Sequence, residues 1–340
     1  MEVQQRGGFW LALIALFLWI PGAAARDVRI EVVAQDNRHI ASISARHLAK
    51  LTTPGLAFTL RGEAVDKAGA PRPHLHVLPL HDLARDVPEL SVVQLPFFYP
   101  NLAAVQRALD GALGKRLKAA ATARGWQILA FWDEGMQVMS GNLAYTHTRA
   151  LQGREFLLLR DDPMAEIELR ALDVWSRQAR PESLSQLHKE CLVGSRSATL
   201  QQILAEQLAR VHLDLTLTRH RYEGWIVAMR TADWVSLGEE ARSALAEQLN
   251  GMRAWQRDQA AEIEAAALRE LVKAAMTAHP LAPETWQTYR AMQPAWERFL
   301  PESLTPDSRL DLVVLAAAAA GVDVGGGRGE ALPQPLRQAH

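Results

Sequence analysis

Two apolar stretches separated by a short polar patch form the clearest pattern in the chain. At residues 213–218, leucines alternate with Asp and Thr, which is the two-residue period of a half-buried strand. Residues 225–229 are continuously apolar and few in number, which is typical of a buried strand. The polar patch 219–221 lies between them. Ser236 followed by Glu239 has the spacing of a capping box, so we predict that a helix begins there.

That helix is predicted to be unusually long. Residues 238–276 contain no proline, and apolar side chains recur close to the 3.6-residue period of a helix. A helix of that length measures roughly 58 Å, which exceeds the width of an ordinary domain. The apolar face of so long a helix could be covered either by a coiled-coil partner or by two domains of the same chain. The irregular heptad spacing favours two domains. Gly251, near the middle, is the predicted position of a bend.

Strands and helices alternate through the rest of the chain. Residues 28–32 and 56–60 are predicted strands on either side of a helix at 40–51, which is a βαβ pattern. Another buried strand is predicted at 156–159. This alternation predicts an α/β protein with mixed or parallel sheets.

The first 25 residues are predicted to be a signal peptide. Arg6 gives a positive start, residues 9–20 are apolar, and three alanines at 23–25 offer a small-residue cleavage site. A retained membrane anchor is the alternative, but the apolar run is shorter than the roughly 20 residues that span a bilayer. Cleavage after residue 25 of 340 leaves enough chain for two domains.

The net charge, the single cysteine and the histidines bear on which partners the protein can have. A formal net charge of −1 without a basic block argues against nucleic acid as a partner. Cys191 is the only cysteine, so it cannot form an internal disulfide, and we interpret it as a small core residue. His74, His76 and His81 lie close enough in sequence to consider a metal site, but no spacing fixes a further ligand.

The chain shows none of the common catalytic patterns. It has no nucleophile with a matching base, no zinc spacing and no phosphate-binding loop. The neighbouring acids Asp161 and Asp162 are explained by a helix start at Pro163. The protein is therefore not predicted to be an enzyme, and neither a cofactor nor a metal is predicted.

Five segments stand out when they are taken together. They are VPELSVVQLPFFYPN at 87–101, DGALGKRL at 110–117, LQGREFLLL at 151–159, SLSQLHKECLVGSRSA at 183–198 and LTRHRYEGWIVAMRTADWVSL at 217–237. In order and spacing they resemble the solute-binding proteins of TRAP transporters, the DctP family. The resemblance implies an α/β, two-lobed periplasmic-binding-protein-like fold with mixed sheets and one long helix spanning both lobes. It also implies a periplasmic receptor that captures a small organic acid and passes it to the membrane subunits of a TRAP permease.

The resemblance also suggests a division of the chain. Lobe I is expected to comprise residues 27–138 and 213–253, and lobe II residues 139–212 and 254–305. Residues 306–340 are expected to form a C-terminal extension whose Gly- and Pro-rich end is disordered.

Several positions that the resemblance marks as ligand contacts carry unexpected residues. The arginine that clamps the ligand carboxylate in the family is matched by Leu157, and a second arginine by Gln137. A ligand-contacting asparagine is matched roughly by Gln201. Leucine offers no hydrogen-bond donor to a carboxylate, so Arg160 and Arg196 are the candidates to supply one.

Aromatic side chains are also candidates for the cleft. Trp132 and Tyr222 are predicted to line it, with burial in the core as the alternative for each.

The missing arginine leaves a second function open. In that reading, the protein is a relative that no longer transports and acts as a scaffold or sensor input at the cell envelope.

Overall fold

The computed structural model describes residues 26–32, 39–60, 73–190 and 192–322. The predicted signal peptide, Cys191 and the predicted disordered tail lie outside these residues. The strands are β1 (Arg26–Val32), β2 (Leu56–Leu60), β3 (His74–Pro79), β4 (Trp126–Met136), β5 (Val138–Gly141), β6 (Glu155–Leu158), β7 (Trp175–Gln178), β8 (Arg196–Ala198), β9 (Asp214–Leu217), β10 (Tyr222–Arg230) and β11 (Thr277–Pro280).

Helices alternate with these strands. The α-helices are α1 (Ile40–Lys50), α2 (Leu80–Leu83), α3 (Leu102–Asp110), α4 (Ala112–Ala123), α5 (Thr148–Leu151), α6 (Pro163–Ala171), α7 (Leu184–Lys189), α8 (Leu200–Ala205), α9 (Thr231–Ser236), α10 (Glu239–Gly251), α11 (Arg253–Lys273), α12 (Pro283–Met292) and α13 (Pro306–Ala320). Short 3-10 helices cover Pro88–Gln94, Pro181–Ser183, Leu208–Arg210 and Trp296–Phe299.

Lobe I is built on a five-stranded mixed sheet in the order β2-β1-β3-β10-β4. Strand β1 runs parallel to β2 and β3, as the βαβ pattern predicts, whereas β10 runs antiparallel to β3 and β4. Helices cover both faces of this sheet. Ile226 and Ala228 therefore pack into one apolar core and Val227 and Met229 into the other, which explains the continuous apolar run in β10.

Lobe II is built on a four-stranded sheet in the order β11-β9-β5-β8. The parallel pair β6-β7 joins this sheet through a bridge between Phe156 and Ser195. Within the alternating run, Leu215 is fully buried in the lobe II core. Leu213, by contrast, precedes β9 and is 63% exposed, so the strand is shorter than the pattern predicts.

Two direct strand-to-strand crossings between the two sheets lie side by side. Strand β4 of lobe I passes through Gln137 into β5 of lobe II, and β9 of lobe II passes through residues 218–221 into β10 of lobe I. The crossings are tied together, because the backbone N–H of Gln137 donates to the carbonyl of Arg221 at 2.7 Å and that of His220 donates to the carbonyl of Gln137 at 3.1 Å. The two strand crossings are thus joined to each other, and the two-lobed mixed α/β fold is confirmed.

The long helix is present but is interrupted near the predicted bend. Helices α10 and α11 are separated by Met252, where ψ is 1°. Helix α10 packs on lobe I through Leu245 and Leu249, whereas α11 contacts both β4 of lobe I and α8 of lobe II. The prediction of a helix that spans both lobes is therefore confirmed for α11, which is about 31 Å long.

The predicted capping box is wrong. Ser236 is the last residue of α9, and its hydroxyl donates to the backbone carbonyl of Asp233 at 2.7 Å. Helix α10 instead follows Gly238, whose φ of +81° a residue with a side chain would rarely adopt. The chain turns sharply at Gly238, so Ser236 cannot reach the first turn of α10.

The C-terminal part of the described chain returns to lobe I. Trp296 and Phe299 pack into the same core as Leu312 and Ala316 of α13, and α13 contacts α3.

None of the helices within the described ranges is both long and apolar enough to cross a bilayer.

Candidate functional site

Polar side chains of both lobes converge where the two strand crossings meet. Only a small cavity of about 10 Å³ remains between them, which is room for about one water molecule. The polar residues that line it are Gln137, Arg160, Asp162, Glu168, Arg196, Ser197, Gln202 and Arg221. The lobes are closed on each other at this point, and the side chains of the protein fill the cleft.

Arg160 bridges the two lobes. It follows β6 in lobe II, and its guanidinium lies 2.8 Å from Oε1 of Glu223 on β10 of lobe I and 3.2 Å from Oδ2 of Asp162. These are charge-assisted contacts, which are among the stronger hydrogen bonds in proteins.

Arg221 holds the same aspartate from the other side. Its guanidinium donates to both carboxylate oxygens of Asp162, at 2.8 and 3.3 Å, and the residue is 4% exposed. The Nε–H also donates to Oε1 of Gln137 at 3.3 Å. The two arginines therefore share one carboxylate at the centre of the cleft.

The two acids opposite these arginines are ionised. Burial alone would raise the pKa of Glu223, but the neighbouring Arg160 guanidinium holds it well below its usual range. Glu223 also accepts hydrogen bonds from the amides of Gln137, at 2.6 Å, and Gln94, at 3.1 Å. Burial likewise acts to raise the pKa of Asp162, yet Arg221 and Arg160 more than offset it, so that this pKa is lowered.

A third acid, Glu168 on α6, is buried beside this network. Burial raises its pKa to about 7, although Arg221 opposes the shift. Its Oε1 has no hydrogen-bond partner among the described residues and lies 3.2 Å from Nε2 of His220, without hydrogen-bond geometry. Burial and the nearby Arg221 lower the pKa of His220 to about 3, so this ring is neutral and the contact is not an ion pair.

Replacing Glu168 with glutamine is expected to stabilise the protein at pH 8. The folded-state pKa of Glu168 is about 7, against the ordinary value of 4.5, so the folded state holds the extra proton between these values. Stability is therefore lost as the pH rises from about 4.5 through 7, and the loss amounts to about 3 kcal/mol. Urea unfolding at pH 5 and pH 8 should show a gain for Glu168→Gln at pH 8 that is largely absent at pH 5. Equal effects at both pH values would contradict the assignment.

The structure brings three of the seven predicted site residues to the cavity: Arg160, Gln137 and Arg196. Arg160 and Gln137 belong to the central network. Arg196, in contrast, is held within lobe II by a bidentate pair with Glu206 at 2.9 and 3.0 Å, and its third nitrogen donates to the carbonyl of Ser197.

The other four predicted site residues do not line this cavity. Leu157 is fully buried in the lobe II core, so the position matched to the clamping arginine serves packing. Gln201 donates from its side chain to the backbone carbonyl of Glu134 at 3.2 Å. Trp132 lies in the core of lobe I, and Tyr222 is buried there with its hydroxyl donating to Asp133 at 2.8 Å.

Four residues of the central network are absent from the site predicted from sequence: Arg221, Asp162, Glu168 and Glu223. The sequence pattern marks Arg221 only as part of a polar patch and Asp162 only as a helix start. Asp162 does cap α6, accepting from the backbone N–H of Ala165 at 3.0 Å, but it serves the cleft as well. The available signal is Glu223, a charged residue two positions before the apolar run of β10.

The histidines considered for a metal do not gather into a site. His74 and His76 lie on β3 with ring centroids 5.9 Å apart, and His81 lies on α2 beside Asp82. Within the described ranges, no group of three or more His, Cys, Asp or Glu side chains is arranged to hold a metal ion.

A larger cavity of about 290 Å³ lies elsewhere, between α4, β4 and the α10–α11 junction. Its lining, which includes Lys118 and Phe131, comes from lobe I and the start of α11, so motion between the lobes does not enclose it. The cleft at the strand crossings is therefore the stronger candidate for a site that depends on both lobes.

Known proteins resemble this chain in both sequence and fold. The chain is 25% identical over 230 residues to the C4-dicarboxylate-binding periplasmic protein DctP of Vibrio cholerae, a match that covers 67% of each chain. It is 24% identical over 217 residues to the C4-dicarboxylate-binding protein DctB of Bacillus subtilis, covering 63% of this chain and 62% of that protein. The chain thus spans about two thirds of the length of these relatives.

The fold matches that of a TRAP periplasmic solute-binding protein from Ochrobactrum anthropi, whose crystal structure has the C-terminus bound in the ligand-binding pocket. The TM-score is 0.74 at 20% identity, covering 88% of this chain and 97% of that one. Residues 73–302, well over half of the chain, match the DctP family, described as bacterial extracellular solute-binding protein, family 7. The chain therefore belongs to the DctP family of bacterial extracellular solute-binding proteins.

Proposed function

We propose that this protein is an exported receptor that captures a small organic acid or a related solute between its lobes and delivers it to a TRAP-type permease. The observation that carries the proposal is the convergence of polar side chains from both lobes at the strand crossings, in a chain of a solute-binding family. A receptor of this kind works by binding the solute in an open form and favouring the closed form, which the permease then recognises.

The Arg160–Glu223 contact supports closure as the working motion. It joins a residue of lobe II to a residue of lobe I at 2.8 Å, and both side chains are largely buried when the lobes meet. Opening the lobes would expose these charges to water and make room for a solute. The binding step is therefore an exchange of internal contacts for contacts with the solute.

Location and lobe boundaries belong to the same proposal. A periplasmic location, reached through cleavage after residue 25, agrees with the apolar run at 9–20 and with the periplasmic relative from V. cholerae.

For lobe II we propose that the second segment ends near residue 293 rather than 305, because Trp296 and Phe299 pack with lobe I.

A second candidate function is a non-transporting scaffold or sensor input at the cell envelope. The observation that favours it is that Arg160, Arg196 and Arg221 each face a carboxylate of the protein itself. Such a protein would bind its protein partner with no small solute present.

Isothermal titration of the mature protein against a panel of organic acids and their uncharged analogues tests the receptor role. We expect saturable binding of at least one solute at one site per chain, with a rise in Tm, because a ligand that binds only the folded state stabilises it. The Arg177→Met variant, on the surface of lobe II, should bind as the unaltered protein does. If no solute binds while a membrane partner still co-purifies, the scaffold role is favoured instead.

A further inference from the structure

We infer that the solute of this cleft carries no net charge, and that Glu223 together with Asp162 sets this preference. The inference rests on the proposed receptor function and specifies its substrate class. It departs from the acidic solutes for which the relatives of this chain are named.

Charge inside the cleft does not favour an anion. Two cations, Arg160 and Arg221, meet two anions, Asp162 and Glu223, at distances of 2.8 to 3.2 Å. The third acid, Glu168, lies 3.9 Å from Arg221 and adds negative charge once it is ionised. The ion pair of Arg196 with Glu206 adds no net charge. An anionic solute would approach two guanidinium groups and two carboxylates at similar range, so attraction and repulsion largely cancel.

The protein itself already uses the paired hydrogen-bond donors of Arg221 and Arg196. A carboxylate is best held by two parallel N–H groups of one guanidinium. In Arg221 this pair of donors already holds Asp162, and in Arg196 the pair already holds Glu206. In Arg160, Nη2 contacts both Asp162 and Glu223, so a solute carboxylate on the other donors of this guanidinium would lie beside these two carboxylates. At Arg221 or Arg196 it would have to displace a carboxylate that is covalently part of the protein and already in position, which costs the solute much of its affinity.

The cleft retains one buried hydrogen-bond acceptor and some apolar surface for a solute. Oε1 of Glu168 is buried and has no hydrogen-bond partner among the described residues, and the residue lines the cavity. This oxygen suits a hydroxyl or amide N–H of a solute, whereas a second carboxylate beside it would be repelled. Leu158, Leu159 and Leu169 supply apolar contact on the same cavity. A neutral polar solute with hydrogen-bond donors and some apolar surface matches this lining.

Glu223 is the residue on which this selectivity can be tested. It contacts Arg160 and accepts from Gln137 and Gln94, so glutamine keeps its shape and removes its charge. The Glu223→Gln variant leaves Arg160 with one internal carboxylate partner, Asp162, and removes one negative charge from the cleft. We expect this variant to accept anions that the unaltered protein rejects.

The experiment uses matched pairs of solutes that differ in charge: succinate and succinamide, glucuronate and glucose, orotate and uracil. Binding is measured by titration calorimetry at pH 7.5 for the mature protein, for Glu223→Gln and for Glu223→Asp, which retains the charge. Wherever the mature protein binds at least one member of a pair, we expect it to bind the neutral member more tightly than the anion. We expect Glu223→Gln to bind the anions at least about tenfold more tightly than the mature protein does, and Glu223→Asp to show no such gain.

The outcomes separate the inference from the proposed function. Tighter binding of the anion by the unaltered protein, or no gain in anion affinity in a folded Glu223→Gln variant, overturns the inference while the receptor role stands. Failure of every solute, charged or neutral, to bind any of the three proteins counts against the receptor role itself. Thermal unfolding of each variant establishes that it is folded, and if Glu223→Gln is not, Asp162→Asn takes its place with the same expected gain.

Discussion

Replacing Arg221 with methionine is expected to cost about 3–5 kcal/mol of the free energy of unfolding. The side chain is 4% exposed and holds both oxygens of Asp162, at 2.8 and 3.3 Å. Methionine fills similar space but leaves Asp162 with Arg160 alone. Removing one partner of a buried ion pair is costly because the charge left behind is no longer compensated. Urea unfolding at pH 7 measures the loss.

The neighbouring arginine provides the control. The Arg219 side chain is 53% exposed and lies 3.6 Å from Glu264. The Arg219→Met variant should therefore change the free energy of unfolding by no more than about 0.5 kcal/mol, as is usual at exposed positions. Comparable losses in the two variants would mean that the cost arises from the length of the side chain rather than from the buried pair.

Replacing Gly114 with alanine is expected to cost about 3 kcal/mol or more. Gly114 lies in the first turn of α4, where the chain has just turned from α3, and an added Cβ would stand 1.8 Å from the carbonyl oxygen of Leu109. The obstacle is backbone rather than the end of a flexible side chain, so the junction of the two helices would have to move. Overpacking of this kind usually costs about 1–3 kcal/mol and sometimes more. We expect Gly114→Ala to lie at the upper end of this range because the obstacle is backbone.

Gly251 is the matched helical glycine. It is the last residue of α10, and an added Cβ would meet nothing within 4 Å. Gly251→Ala should raise the free energy of unfolding by up to about 1 kcal/mol, because alanine favours the helix more than glycine does. Thermal and urea unfolding measure the change in the free energy of unfolding for both variants. A Gly114→Ala variant as stable as the unaltered protein would show that the α3–α4 turn has room for a side chain.

The fold could be predicted from sequence to the extent that it depends on local patterns. The burial of β10 followed from its continuous apolar run, because a strand covered by helices on both faces needs no polar side. The start of α10 could not be predicted in the same way. Ser236 and Glu239 have suitable spacing, but the conformation of Gly238 between them redirects the chain. A sequence pattern does not report that turn.

The site was harder to predict because its contacts join distant parts of the chain. Arg160 was named as a candidate, but its partner Glu223 lies 63 residues away. Arg221 belongs by sequence to a short polar patch that carries no sign of a site, and only the strand crossing buries it beside Asp162. Leu157 shows the opposite error, since the position matched by resemblance carries a side chain that packs in the core.

The crossing at Gln137 has a consequence for how such a receptor can diversify. Its main-chain N–H and carbonyl connect it to Arg221 and His220, while its side-chain amide faces Glu223 and Ser197. The backbone link between the two strand crossings is thus held by atoms that every amino acid except proline possesses. Mutation at this position can change the side chain presented to the cleft while this link between the two sheets is retained.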